Sequence, residues 1–256
     1  MRRLHIVGCP RSGTTLLMQL VSTCFANNGH CSHEMSIFQP PDITSGLYIS
    51  KQPNDIRQLR HIFFRDKNLY VICMDRDPRS VIASVHRQRP GEYFCNYRIW
   101  RECDKAAQRY LGHPRFLQLG YDDLVSYPDK AQGLISSQFP FLEREHSFSD
   151  YQQHARPSTA AQQAMNGMRE PSRDSLGKWH EHLPRVAEQY LRHPQMADDL
   201  VRLGYEPDRR WLEELRDVAA VAYPCRYSAQ RERFKEWEKA LRVYLKSRRY
   251  LRQMTR

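Results

Sequence analysis

The chain has 256 residues, of which 40% are hydrophobic and 27% charged, and its 40 lysines and arginines exceed its 29 aspartates and glutamates. This composition is that of a soluble protein with a sizeable core, and the length suits one large α/β domain with or without an appendage. No repeats or low-complexity segments are visible, which excludes a repeat architecture. The formal charge of +11 favours anionic partners such as nucleotides, nucleic acid, acidic glycans or lipid head groups.

The cellular compartment is predicted from the apolar segments, the N-terminal sequence and the cysteines. No stretch approaches the roughly 20 apolar residues of a membrane span. The N-terminal "MRR" leads directly into strand-like sequence, without the apolar region of a signal peptide. The cysteines number seven and form no CxxC pair, and Cys9 and Cys73 lie in or beside strand-like segments. We therefore expect reduced thiols and a soluble, cytoplasmic protein.

Three short apolar runs predict strands that are buried on both faces of a parallel sheet, at residues 4–9, 69–74 and 115–119. A turn and a helical pattern follow each run: residues 14–25, a helix that opens at Pro78, and a helix after Pro128. Strands that alternate with helices predict an α/β fold with a P-loop-like, three-layer, doubly wound parallel sheet and helices on both faces. Ligand sites in such a sheet lie at the carboxyl ends of the strands.

The later part of the chain has a different pattern. Residues 139–182 are polar and irregular and predict a long loop region with some helix. A helical pattern runs from 184 to 203, and residues 209–256 predict two further helices. The last helix carries an apolar stripe among lysines and arginines, made of Phe234, Trp237, Leu241, Tyr244, Leu245 and Leu251.

The sequence "GCPRSGTTLL" at residues 8–17 predicts a loop between a strand and a helix that binds anionic oxygens. Backbone N–H groups of the turn and of the helix N-terminus form such a cavity, to which Ser12 and Thr15 add hydroxyls and Arg11 adds a positive charge. A nucleoside-triphosphate P-loop would have lysine where Thr14 stands. The alternative is an ordinary turn between a strand and a helix that binds no ligand, but such a turn needs only one glycine and not this row of polar residues.

A second segment, "DRDPRSVIAS" at residues 75–84, places Arg76 at the end of a predicted strand. If a helix opens at Pro78, Ser84 lies about two turns along it. An arginine and a hydroxyl that converge would suit a second phosphate, separate from the first loop. Alone the pattern is weak, because an arginine at the end of a strand is usually solvated or paired with an acid.

Together, "CPRSGTTLL" and "RDPRSVIAS" resemble the sulfotransferases that use 3′-phosphoadenosine 5′-phosphosulfate (PAPS). The order and spacing look most like the branch that contains the tyrosylprotein sulfotransferases and their bacterial relatives. The resemblance covers roughly residues 1–208, which are expected to form the sulfotransferase domain, whereas 209–256 are expected to form a basic helical extension packed on it. Further segments that carry the resemblance are "YISKQPNDI" (48–56), "GYDDLVSYP" (120–128), "SLGKWHEHLP" (175–184) and "LGYEPD" (203–208).

The resemblance implies a set of nucleotide-binding residues. The 5′-phosphosulfate would be held by Arg11, Ser12, Gly13, Thr14 and Thr15. The 3′-phosphate would be held by Arg76 and Ser84, and further contacts to the nucleotide would come from Tyr121 and Lys178. Two departures from the family pattern are visible. Gln88 stands between Arg87 and Arg89 where relatives have arginine, so either a neighbouring arginine substitutes or the contact is missing. Gly177 stands where the tyrosylprotein enzymes have serine. The loop before Lys178 leaves Arg169 and Arg173 as unassigned candidates.

The resemblance also implies catalytic roles for Arg11, Glu34 and Lys51. Glu34 would be the general base that takes the proton of an acceptor hydroxyl, with His30 and His33 as rivals. The Lys51 ammonium would stabilise the charge that develops on the leaving oxygen. No metal is required, and His180 and His182 in "KWHEHLP" are interpreted as a solvated lead-in to a helix rather than metal ligands.

Two other functions stay open at this point. A P-loop kinase is opposed by Thr14 in the lysine position, although Asp75 could hold magnesium. A basic nucleic-acid-binding module could use the C-terminal helix, but no recognition motif accompanies the charge, so no nucleic acid is expected.

The expected partner is an acceptor that carries a hydroxyl or an amine, bound at a site closed by the irregular regions 88–98 and 139–177. A homodimer is a further option. The segment 228–254 combines an apolar stripe with a basic face, which suits either packing on the domain or contact with an anionic membrane surface. Packing is favoured, because short amphipathic helices usually bury their stripe on their own protein.

Overall fold

The computed structural model describes residues 1–86, 88–156, 159, 171–227 and 233–254, without the side chains of 233–237 and 239. Within this part of the chain, five parallel strands form one sheet in the order β2-β3-β1-β4-β5. The strands are β1 (Arg2–Gly8), β2 (Gly29–His30), β3 (Leu47–Lys51), β4 (Leu69–Asp75) and β5 (Phe116–Gly120).

The central strand is β1, because apolar side chains leave both of its faces. Leu4 and Ile6 enter one hydrophobic cluster, and Val7 enters the cluster on the opposite face of the sheet. The predicted strands are confirmed as β1, β4 and β5. The strands β2 and β3 were not predicted from the sequence, and β3 lies within the motif "YISKQPNDI".

Helices cover both faces of this sheet. One face packs against α1, α4, α5 and α6, and the other packs against α3, α7, α8 and part of α9. The predicted class, a P-loop-like three-layer α/β fold with a doubly wound parallel sheet, is therefore confirmed. The helices are α1 (Thr14–Cys24), α2 (Pro78–Ile82), α3 (Tyr97–Ala107), α4 (Tyr121–Ser126), α5 (Pro128–Gln138), α6 (Tyr151–His154), α7 (Leu183–Arg192), α8 (Met196–Arg202) and α9 (Arg233–Met254), with 3₁₀ turns at Pro53–Arg57, Leu59–His61, Gln108–Tyr110, Arg173–Ser175, Lys178–His182 and Arg210–Leu215.

Three helix predictions differ from the structure. The helix that opens at Pro78 ends at Ile82, so Ser84 lies beyond it and not two turns along it. The pattern predicted as one helix over 184–203 is two helices, α7 and α8, separated at Pro194, where proline removes a backbone donor. The first helix predicted within 209–256 is only the 3₁₀ turn Arg210–Leu215.

The helix α9 packs on the domain through a different face from the predicted one. Tyr250 is fully buried and its hydroxyl donates to Asp66 Oδ2 at 2.6 Å. Leu251 packs against the same core as predicted, but Leu241 and Tyr244 are about half exposed, at 43% and 48%. The apolar stripe predicted from the sequence did not include Tyr250, because its burial depends on a hydrogen bond to Asp66, a residue distant along the chain. The division at residue 208 stays a prediction.

The described residues contain no helix that is long and apolar enough to cross a membrane. All seven cysteines are free and buried.

The strand order contains a switch point beside the central strand β1. β1 lies between β3 and β4, so the chain runs from β1 towards β2 and β3 and then crosses to β4 on the other side. A crevice forms outside the carboxyl ends of strands at such a switch point. The segments after β1 and β4 meet there, since Arg76 donates to the Arg11 carbonyl, and Lys51 at the end of β3 donates to Thr15.

Candidate functional site

The loop between β1 and α1 is tightly wound and lined with donors. Arg11 and Gly13 have left-handed backbone conformations, with φ of 76° and 95°, and Ser12 N–H donates to the Cys9 carbonyl at 3.1 Å. Helix α1 begins at Thr14 without a side-chain cap, so its first N–H groups are not used by a capping side chain. The predicted anion-binding geometry of a strand, a tight turn and a helix N-terminus is present.

Glycine is required at Gly13 because an aromatic ring lies against the loop. A Cβ built on Gly13 would lie 2.3 Å from the Tyr121 ring. Gly8 is equally constrained, since its Cβ would lie 2.6 Å from the Met74 carbonyl oxygen and 2.7 Å from Ser12 Oγ. The loop therefore closely approaches both the end of β4 and the start of α4. Tyr121 is thus brought to the loop, and its contact with a nucleotide stays a prediction.

Arg76, at the end of β4, crosses this same corner. Its guanidinium lies 4.1 Å from the centroid of the Tyr121 ring and donates to the Arg11 carbonyl at 3.1 Å and to the Ser175 carbonyl at 3.2 Å. The Tyr121 hydroxyl and Ser175 Oγ are 2.7 Å apart. Ser175 was not predicted as a site residue, although it begins the motif "SLGKWHEHLP".

The two segments that were predicted to bind separate phosphates touch each other. Arg11 Nε donates to Ser84 Oγ at 2.7 Å, which places Ser84 beside the first loop even though it lies outside α2. The Arg11 guanidinium also lies 5.6 Å from the centroid of the Phe94 ring, a contact that the sequence did not reveal. Arg11 therefore links both predicted phosphate positions.

A second group meets at the carboxyl end of β3. Lys51 Nζ donates to Thr15 Oγ1 at 3.0 Å and lies 3.3 Å from Glu34 Oε1. The Lys51 side chain is 1% exposed, whereas Glu34 is 36% exposed, so the carboxylate faces the solvent side of the pair. Burial lowers the pKa of Lys51, and the nearby Glu34 carboxylate opposes that shift. Three residues predicted from separate motifs thus form one cluster.

The two histidines that rival Glu34 lie elsewhere on the same segment. His30 is exposed on β2, the edge strand of the sheet. His33 is exposed in the following loop. The contacts to Lys51 come from Glu34, so the geometry favours the carboxylate as the group beside the buried cation.

A buried polar network under β1 holds the segment that carries Glu34. Arg3 is fully buried and donates to the carbonyls of Ile37 at 2.8 Å, Gln39 at 2.9 Å and Ser36 at 3.0 Å. The Asp55 carboxylate accepts from Ile37 N–H at 2.5 Å. This network was not predicted from the sequence, in which its only signal is the presence of Arg3 and His5 inside a buried strand.

His5 extends the network beneath the sheet. Its Nδ1 lies 2.8 Å from Ser50 Oγ and its Nε2 lies 3.3 Å from Asp55 Oδ2. Burial lowers the pKa of His5 to about 4, and Asp55 opposes the shift. Because Arg3 Nε also donates to Ser50 Oγ, at 2.8 Å, the strand and the segment behind it are tied together by one set of polar side chains.

Some predicted residues are not brought into the cluster by any contact described. Lys178 and Arg173 are exposed, while Trp179, next to Lys178, is buried under the Arg79 guanidinium at 4.1 Å. Arg89 pairs with Glu92 at 3.2 Å. Arg87 and Arg169 lie outside the described residues, as do parts of the predicted segments 139–177 and 228–254.

The two histidines of "KWHEHLP" have different partners. His180 Nε2 lies 3.2 Å from Glu214 Oε2, and His182 Nδ1 lies 3.0 Å from the Tyr93 hydroxyl. Asp75, the carboxylate that kept a kinase open, accepts from the backbone N–H of Arg76 at 2.9 Å, and burial raises its pKa to about 6. In the part of the chain that is described, no three His, Cys, Asp or Glu side chains form a group that could hold a metal ion.

Comparison with known proteins defines the fold. The sequence matches no protein-family model and no curated protein. The sulfotransferase domain of the Synechococcus PCC 7002 olefin synthase superimposes with a TM-score of 0.52 at 17% identity, covering 70% of this chain and 87% of that one. The sulfotransferase domain of the curacin biosynthetic pathway superimposes with a TM-score of 0.52 at 15% identity, covering 79% and 97%. The chain therefore has the fold of sulfotransferase domains.

Proposed function

We propose that this protein is a PAPS-dependent sulfotransferase that transfers a sulfuryl group to an acceptor hydroxyl or amine and releases adenosine 3′,5′-bisphosphate. The observation that carries the proposal is the convergence of Arg76 and Ser84 on Arg11 of a loop that has Thr14 in place of the P-loop lysine. Two guanidinium groups and a hydroxyl at one corner suit a nucleotide with phosphates at both ends of its ribose. A nucleoside triphosphate would instead call for the missing lysine.

Unused buried donors and acceptors support a bound anion at this loop. Ser12 Oγ and Arg76 Nε are buried without a hydrogen-bond partner in the described part of the chain. Such groups are rare in native proteins and need a partner such as a ligand or an ion. We assign the loop of Arg11, Ser12, Gly13 and Thr14 to the 5′-phosphosulfate. Arg76 and Ser84 are assigned to the 3′-phosphate, and the Tyr121 ring to contact with the nucleotide.

The cluster at the end of β3 supplies the chemistry. PAPS provides an activated sulfuryl group, whose bond to the phosphate oxygen breaks as a bond to the acceptor forms. Glu34 accepts the proton that the acceptor loses, because it is the partly exposed carboxylate beside the loop. Lys51, tied to the loop through Thr15 Oγ1, holds a fixed ammonium near the developing negative charge of the leaving oxygen.

The loops around this crevice bind the acceptor. Arg11 lies against Phe94, in the region 88–98 that was predicted to close the acceptor site. The order of motifs resembles the tyrosylprotein branch, but acceptor loops differ within a fold, so that resemblance does not by itself make a peptide the substrate.

Calorimetric titration with adenosine 3′,5′-bisphosphate, AMP and ATP tests the proposal. We expect the bisphosphate to bind at least about tenfold more tightly than AMP without magnesium, since a charge-assisted bond contributes about 1.5–3 kcal/mol. Arg76→Ala should remove most of that preference. Arg242→Ala, which removes an exposed arginine paired with Glu238 on α9, is the matched control and should retain it.

Two outcomes would contradict the proposal. Equal affinity for AMP and the bisphosphate would remove the second phosphate site. ATP binding that depends on magnesium would favour a kinase.

A further inference from the structure

Helix α9 presents two different faces. Its inner face packs on the core or is buried there, and consists of Val243, Ser247, Tyr250, Leu251 and Met254. Its outer face is exposed to solvent and mixes apolar with basic side chains; we define it as Leu241, Tyr244, Leu245, Arg248, Arg249 and Arg252. The apolar members of the outer face are well exposed, with 43% for Leu241, 48% for Tyr244 and 56% for Leu245.

The anchoring of α9 fixes which face points outward. The Tyr250 hydroxyl donates to Asp66 Oδ2 at 2.6 Å in a fully buried setting, and Ser247 is 2% exposed. Rotating the helix to bury Leu241 and Leu245 would withdraw Tyr250 from the core and remove the donor that its hydroxyl provides to the buried Asp66 Oδ2. The outer face therefore cannot pack on the protein's own core while Tyr250 is buried.

The apolar side chains of the outer face lie within a strongly basic helix. Residues 233–254 contain eight lysines and arginines and only two glutamates. Leu245, Arg248, Arg249 and Arg252 line one shallow open depression. By sequence spacing, Phe234 and Trp237 continue the apolar series seven and four residues before Leu241.

A second exposed segment of the same character adjoins the anchor of α9. Asp66, which holds Tyr250, is flanked by exposed Arg65 and Lys67, and Phe64 is 54% exposed. Basic and aromatic side chains thus accompany the helix on the domain surface as well.

We propose that the outer face of α9 binds the surface of an anionic lipid bilayer. An interfacial helix combines apolar side chains that enter the boundary between head groups and acyl chains with lysines and arginines that pair with anionic lipids. Each basic residue near such a surface adds to the attraction. The proposal is independent of the proposed enzymatic function.

Other occupants match this face less well. A second copy of the chain would bring an equally basic helix against it, and the like charges would repel. Nucleic acid would pair with the arginines through its phosphates, but it would leave the apolar side chains at the centre of the face without an apolar partner. An anionic bilayer satisfies the charge and the apolar side chains together.

Co-sedimentation of the full chain with lipid vesicles tests the proposal. We expect binding to phosphatidylcholine vesicles that contain phosphatidylserine, and little binding to phosphatidylcholine alone. The double variant Leu241→Ser/Leu245→Ser should weaken the partitioning by about tenfold, because apolar area is lost while the charge is unchanged. Circular dichroism and the affinity for adenosine 3′,5′-bisphosphate should remain those of the unaltered protein, since neither leucine touches the candidate site.

The matched control removes two exposed leucines elsewhere. Leu191 on α7 and Leu134 on α5 are 68% and 48% exposed, and Leu191→Ser/Leu134→Ser should sediment like the unaltered protein. Equal sedimentation of both double variants, or no sedimentation of the unaltered protein with anionic vesicles, would overturn the proposal. A dimer in light scattering that Leu241→Ser/Leu245→Ser dissociates, with no vesicle binding, would assign the face to a second copy instead.

Discussion

Lys51 is a buried cation with specific partners. Burial lowers its pKa, and the Glu34 carboxylate counteracts that change from 3.3 Å. A buried ammonium is tolerated only when its donors are used, and here Thr15 and Glu34 use them. The same partners link it to the loop after β1 and to the proposed base. A substitution of Lys51, Thr15 or Glu34 should therefore change the rate of the proposed reaction.

Glu34→Gln should lower the turnover number by about 10²- to 10⁴-fold, because the amide cannot take a proton. The dissociation constant for adenosine 3′,5′-bisphosphate should change little, since the nucleotide is assigned to other residues. Transfer of radiolabelled sulfate from PAPS to an acceptor fraction measures the first quantity, and calorimetry measures the second.

His30→Ala and His33→Ala are the controls for this assignment and should retain most of the activity. Near-normal turnover in Glu34→Gln together with a collapse in either histidine variant would move the base to histidine.

Gly13 is constrained by both conformation and space. Gly13→Ala places a Cβ 2.3 Å from the Tyr121 ring at φ 95°, so the loop or the ring must shift. We expect adenosine 3′,5′-bisphosphate binding to weaken by at least about tenfold, measured by calorimetry, because the loop amides are then misplaced. Gly112 offers the comparison, with φ 77° and no atom within 4 Å of an added Cβ. Gly112→Ala should lose about 1–2 kcal/mol of stability and bind normally; equal weakening in both would assign the effect to backbone strain.

At the scale of elements, β1 does more than form the middle of the sheet. Leu4 and Ile6 pack in the core on one face of the strand. On the other face, Arg3 donates to backbone carbonyls of the segment after β2, and His5 contacts the side chains of Ser50 and Asp55. The position of Glu34 therefore depends on a strand that is distant from it in sequence.

Arg3→Lys should loosen residues 31–39. A lysine cannot reproduce the forked contacts to three carbonyls, and an unsatisfied buried carbonyl costs about 1–3 kcal/mol. Hydrogen exchange followed by mass spectrometry should show exchange in this segment faster by about tenfold or more. Arg2→Lys is the control on the same strand, since Arg2 is exposed and lies over the Phe141 ring. Unchanged exchange in 31–39 would mean that Asp55 and the backbone hydrogen bonds of Cys31 and Met35 to β3 hold the segment without Arg3.

At the scale of the whole molecule, the buried network makes stability depend on pH. The pKa of His5 is about 4 in the folded protein against an ordinary value of 6.5. The stabilisation that neutral His5 provides is therefore fully present above pH 6.5 and is lost as the pH falls towards 4. At about 1.36 kcal/mol per pKa unit, the loss amounts to about 3 kcal/mol.

Denaturant unfolding at several pH values between 7 and 4 measures this loss. His5→Gln removes the titrating ring, so its free energy of unfolding should fall less steeply with acidification than that of the unaltered protein. The difference between the two curves isolates His5 from Asp75, whose raised pKa acts in the opposite direction. Parallel curves would show that His5 does not titrate in this range.

The loop after β1 was predictable because its residues are contiguous. A strand, a turn with Gly13 and a helix follow one another in "LHIVGCPRSGTTLL", so local pattern is enough. Arg76 was also placed correctly, since it ends a strand with a clear apolar pattern. Ser84 was placed on the wrong element, because a helix that begins at Pro78 carries no local signal for its end at Ile82.

The contacts that complete the site could not be predicted in this way. Lys51 meets Thr15 because β3 pairs with β1 in a register that the sequence does not contain. Ser175 reaches Tyr121 across more than fifty residues, and Arg3 reaches the segment of Glu34 from beneath the sheet.

The sequence by itself determined the α/β class, the loop after β1 and the types of side chain available for anion binding, because these depend on periodicity and on neighbours along the chain. Only the tertiary structure decided that Lys51, Thr15 and Glu34 form one cluster, and that α9 buries Tyr250 while it exposes Leu241. Both outcomes depend on the pairing of distant segments, where a buried hydrogen bond outweighs a local apolar pattern.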